Sequence, residues 1–138
     1  MTTTRPFAAL LCLSLLGGCA SHLDPALAKE HQAQLQRTQS RLFDTNDSKL
    51  IIRSTLSALQ DFGFIIDKVE PELGTVTAAK FGKYPMSMTI TVKTVSKTQT
   101  LVRGDAQYNS ETIEDPAVYQ QFFDALQKSL ALAAHPAK

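Results

Sequence analysis

A chain of 138 residues with 14 Lys and Arg against 13 Asp and Glu carries almost no net charge, which removes the whole-molecule electrostatic case for a nucleic-acid partner or an anionic surface. The length fits one small domain. Cys12 and Cys19 both lie near the start, so a fold built from the later residues has no disulfide and rests on its core.

Met1 to Arg5 carries one side-chain cation, and Phe7 to Leu16 follows as a run of about ten mainly apolar residues. As a helix that run would rise roughly 15 Å, half the roughly 30 Å of bilayer hydrocarbon. It reads as a signal peptide. Leu16-Gly17-Gly18-Cys19 closes it, with two small residues before a lone thiol.

This tetrapeptide resembles the lipobox of bacterial lipoproteins. The resemblance implies cleavage between Gly18 and Cys19 and lipid attachment at Cys19, leaving a mature chain of about 120 residues on a membrane. Two or more acyl chains on one residue hold durably where a single chain is marginal. By the enterobacterial sorting rule, Ala20 in place of Asp implies the outer membrane. The competing reading is a secreted protein with an incidental Cys19.

Residues 19–40 read as the lipidated Cys and a polar, Gln-rich tether, with Asp24-Pro25 as a local helix start. A coil of about 20 residues would span about 25 Å. Arg41 to Thr45 is a short strand. From Ser48, behind Asn46-Asp47, the positions Ile51, Ile52, Leu56, Ala58, Leu59 and Phe62 recur at helical spacing, and Gly63 sits at the expected left-handed cap.

Phe64 to Val69 reads as a strand, Glu70 to Gly74 as a turn and Thr75 to Phe81 as a second strand broken by Gly82-Lys83-Tyr84-Pro85. Met86, Met88, Ile90 and Val92 alternate with Ser87, Thr89, Thr91 and Lys93, which gives one buried and one wet face. After a turn at Ser96-Lys97-Thr98, Gln99 to Tyr108 returns as a strand with Gly104 as a bulge. An acidic loop leads to Asp115-Pro116 and a last helix with Tyr119, Phe122, Phe123, Leu126, Leu130 and Ala133 on its apolar side.

The expected fold is α+β: one antiparallel sheet of about four to five strands with two helices on one face, in the order β-α-β-β-β-β-α. Its parts are a signal peptide (1–18), the lipidated tether (19–40), the domain (41–134) and a frayed tail (135–138). Three runs, Arg41-Leu42-Phe43-Asp44-Thr45, Leu59-Gln60-Asp61-Phe62-Gly63-Phe64-Ile65-Ile66-Asp67 and Leu73-Gly74-Thr75-Val76-Thr77-Ala78-Ala79-Lys80, resemble a family of small lipoproteins of Gram-negative bacteria. The element order is also similar to the helix-grip domains of BamC, a lipoprotein of the barrel assembly machinery. Neither resemblance implies catalytic residues.

His22 and His31 fall in the tether and His135 in the tail, too scattered for a metal site. Asp44, Asp47, Asp61 and Asp67 flank the first core helix, where Asp47 is best used as a cap and Asp61 and Asp67 as ordinary positions around a turn. Lys80, Lys83, Lys93 and Lys97 read as a solvated rim. No phosphate loop, serine elbow or Cys-His pair is present, and no metal or cofactor is expected. Tyr84, Met86 and Met88 fit either core packing or a groove for an apolar ligand or partner, since Met adapts to varied shapes.

Two functions follow as expectations. The first is a non-enzymatic adaptor, held at the periplasmic side of the outer membrane through Cys19 and docking an envelope protein by a sheet edge or face. The second is a carrier of a small apolar ligand, with a hollow between the Ile51–Phe62 helix and the Met86–Val92 strand.

Overall fold

The computed structural model describes residues 24–134. The signal-peptide reading, the Gly18 and Cys19 cleavage and lipidation site, and the tail at 135–138 lie outside the described residues.

The elements are α1 (Pro25–Thr38), β1 (Ser40–Phe43), α2 (Ser48–Asp61), β2 (Ile65–Glu70), β3 (Thr75–Lys80), β4 (Met86–Thr94), β5 (Thr100–Tyr108), β6 (Glu111–Thr112) and α3 (Pro116–Ala134). All strand pairs are antiparallel, in the order β1-β5-β4-β3-β2, with β6 also on β5. The α+β expectation holds, as does the antiparallel sheet. The helix count differs: there are three helices among the described residues, not two.

The additional helix, α1, occupies most of the segment expected as tether. Asp24 Oδ1 accepts a hydrogen bond from the Ala26 amide at 2.9 Å and Pro25 fills the first turn, which satisfies an orphan donor and needs no amide at N1. The Ala, Leu, Gln, Lys and Glu residues that follow are good helix formers. None of α1 is buried, so local propensity and capping hold it more than packing does.

Helix α2 forms where the periodicity places it. Asp47 Oδ1 accepts from the Leu50 amide at 2.9 Å, and Gly63 takes φ +76°. The Phe64 amide donates to Leu59 O at 3.0 Å and the Gly63 amide to Gln60 O at 2.9 Å, a Schellman closure. Its buried Ile51, Ile52, Ala58 and Leu59 meet α3 residues Tyr119, Phe122, Phe123 and Leu126 over Val76, Ala78, Met88, Ile90, Val92, Val102 and Ala106. Each large apolar side chain buried this way contributes about 1.5–3 kcal/mol before entropy is subtracted. The opposite sheet face, with Thr75, Thr77, Ser87, Thr89, Thr91, Lys93 and Arg103, carries no helix among the described residues.

Two local expectations are corrected. Gly104 is no bulge, because the β4–β5 register runs unbroken through Ile90↔Gly104. A Cβ there would lie 3.4 Å from Ile90 Cδ1 and 3.7 Å from Tyr119 Cδ1, so the glycine makes room for the tyrosine ring. The sheet's irregularity is at Asp67, where the β2–β3 register shifts between Ile66 and Lys68. Ala133, expected on the apolar side of α3, is exposed beyond the edge of the core.

Candidate functional site

Two apolar depressions lie at opposite ends of the helical layer. The first is a hollow of about 100 Å³ lined by Leu59, Phe62, Phe64, Lys80, Met86, Met88, Val118, Gln121 and Phe122. The Schellman turn builds it by aiming Leu59 and Phe64 to the same side, and the starts of β4 and α3 supply the remaining walls. Met86 and Met88 are therefore brought together as the sequence suggests, with Met88 buried and Met86 half-buried. Tyr84 is not: it stands outside, 67% exposed, on the β3–β4 connection.

This hollow occupies only one end of the interface between α2 and β4. Farther along, Ile51, Ile90 and Val92 pack without such a space, at 0%, 0% and 5% exposure. Drug-sized ligands occupy roughly 300–1,000 Å³. Space of this size suits one aliphatic or small aromatic group. Lys80 stands at the rim with its Nζ 5.9 Å from the Phe64 ring centroid.

The second depression, about 480 Å³, runs beside β1 and is lined by residues 41–45 together with Leu50, Gln127, Leu130, Ala131 and Ala134. Strand β1 ends the sheet, and among the described residues no strand pairs with its outer side. Its main-chain groups on that side face away from the sheet, next to apolar walls. The Arg41 guanidinium lies 4.9 Å from the Phe123 ring centroid and 3.3 Å from Asp124 Oδ1, which holds the rim of the groove. Leu42, on the uncovered face opposite Leu101, is 53% exposed.

Sequence reasoning misses this groove. Arg41 to Thr45 is legible as a strand, but its neighbours Leu130, Ala131 and Ala134 lie at the far end of the chain, and no local pattern links the two. Among the described residues no group of three or more His, Cys, Asp or Glu is placed to hold a metal ion. Asp44, Asp47, Asp61 and Asp67 are likewise not brought together: Asp44 Oδ1 accepts from Gln99 Nε2 at 3.0 Å, and Asp47 caps α2. Among the described residues no helix is long and apolar enough to cross a membrane. No protein-family model matches this chain, and comparison with curated proteins gives no match.

Proposed function

We propose that this protein is a non-enzymatic adaptor, lipid-anchored through Cys19 at the periplasmic side of the outer membrane, that docks an extended segment of an envelope protein onto β1. The observation that carries the reading is the edge of β1, unpaired among the described residues, beside an apolar groove. A partner strand added there gains main-chain hydrogen bonds, and its alternate side chains enter the groove. Four residues of strand give a short ladder, so the apolar walls would supply much of the specificity.

Crosslinking in intact cells, followed by affinity capture of the full chain and mass spectrometry, tests this. The same envelope complex should be recovered reproducibly. It should be lost in Cys19→Ala, and lost in Leu42→Lys combined with Ala131→Glu, both exposed positions at the groove whose change spares the core. Capture that ignores the groove substitutions would sink the docking site; capture that ignores Cys19→Ala would sink the anchor.

The hollow at Met86 and Met88 favours a second reading, the carrier of a small apolar ligand. Its volume restricts that cargo to a group about the size of one side chain. Co-purification of such a molecule in place of a protein would establish the carrier.

A further inference from the structure

We infer that the β3–β4 connection, residues 81–85, is a second membrane contact that seats the domain on an anionic phospholipid surface. Phe81 and Tyr84 are 73% and 67% exposed at its tip. Lys80 and Lys83 flank them, with Lys83 Nζ 5.4 Å from the Tyr84 ring centroid, and among the described residues neither lysine has a carboxylate partner. Gly82, at φ +141°, turns the chain between them. Two exposed aromatic rings beside the Lys83 ammonium, with Lys80 at the base of the loop over the Phe64 ring, match the bilayer interface, where amphipathic rings settle at headgroup depth and lysines meet phosphates.

The charge balance of the whole chain conceals how one-sided this region is. From Leu73 to Gly104 the sequence holds Lys80, Lys83, Lys93, Lys97 and Arg103 and no Asp or Glu, and of these Lys80 and Lys83 stand at the loop while Lys93 and Lys97 lie at the far end of β4. Asp61, the last residue of α2, and Glu111, in β6 opposite Tyr108, lie at the same end of the sheet, so contact is confined to the tip.

Topology brings this tip toward the anchor, and here the inference rests on the reading of Cys19. Ser40 pairs with Arg103 and Ser87 with Gln107, so the chain enters β1 from the end of the sheet that carries the loop. His31 Nε2 lies 3.2 Å from Glu114 Oε2, which places α1 beside the β6–α3 connection. Residues 20–24 span at most about 18 Å however they fold. With the first turns of α1 they keep Cys19 within about 30 Å of His31. The β1 groove, beside Asp44, Thr45 and the C-terminal turn of α3, lies toward the other end and would face the periplasm.

The chain has no Trp, so Phe81→Trp creates a single fluorescent reporter and Leu132→Trp, near the opposite end, its control. Each full chain, purified from membranes, is reconstituted into vesicles of phosphatidylglycerol and phosphatidylcholine. Incorporation of a clickable fatty acid at Cys19 is read in parallel. The inference predicts a blue shift and quenching by bromolipid for Phe81→Trp alone, lost in pure phosphatidylcholine, at high salt and in Lys80→Gln/Lys83→Gln. A labelled Phe81→Trp chain whose indole stays in water overturns the inference and leaves the anchor standing. A shift without label keeps the loop's contact with the bilayer and removes the anchor. Equal quenching of Leu132→Trp overturns it as well. So does a photocrosslinker at position 81 that captures a protein while the Phe81→Trp emission stays unshifted on vesicles.

Discussion

Gln39 and Tyr119, eighty residues apart in sequence, meet in a buried site where Gln39 Nε2 donates to the Tyr119 hydroxyl at 3.2 Å. The hydroxyl also accepts from the Ala106 amide at 3.4 Å and donates to Ile113 O. Its one proton and two lone pairs are therefore all used. Gln39 contributes further through its carbonyl, which accepts from the Gly104 amide at 2.8 Å, and through its side-chain oxygen, which accepts from Arg103 Nη2 at 3.4 Å. The pair sits where β1 and β6 abut along β5, and joins α1, β5 and α3 at one point.

Removing that hydroxyl should cost more than an average hydrogen bond, because it leaves buried donors and a carbonyl unmatched. Tyr119→Phe is expected to lower stability by about 1–3 kcal/mol, and Gln39→Ala by a similar amount. The double variant should fall short of the sum, since both act on one network. Urea denaturation of the four proteins checks this; strict additivity would show that the contacts are independent.

Two glycines should respond differently to Ala. At Gly74, φ is +66° and a Cβ would lie 2.2 Å from Val92 O, a backbone atom with nowhere to go. Gly74→Ala is expected to cost at least about 2 kcal/mol. At Gly104 the nearest atoms are side chains at 3.4 Å and 3.7 Å that can shift slightly, so Gly104→Ala should cost less. Thermal melts compare the two directly, and the reverse order would contradict the geometry.

The hollow offers a test of its own. Val118→Leu adds one methylene on the wall of existing space, and should leave stability unchanged or raise it by up to about 0.8 kcal/mol. Calorimetry reads the change. A loss above about 1 kcal/mol would mean that the space is not open to a side chain.

Helix α1, capped but without buried residues, should open locally and independently of the sheet. Its amides are expected to exchange with solvent far faster than those of β4 and β5. Asp24→Ala should speed that exchange while leaving the global melting temperature nearly unchanged. Hydrogen exchange by mass spectrometry resolves the two regions.

Local chemistry alone determined much of the domain. Asp47 and Gly63 bracket α2 because capping acts within a few residues, and the Met86–Val92 alternation declares its buried face because side chains on a strand point to alternate sides. Asp24-Pro25 likewise marked the start of α1, but apolar spacing understated that helix, since its stability does not come from a buried stripe. Tertiary structure decided what joins distant residues. Only the folded chain shows that Gly104 yields space to Tyr119, that Met86 and Met88 share a hollow without Tyr84, and that β1 and the last turns of α3 form one groove. Those relations depend on contacts across tens of residues, which the order of neighbours along the chain does not encode locally.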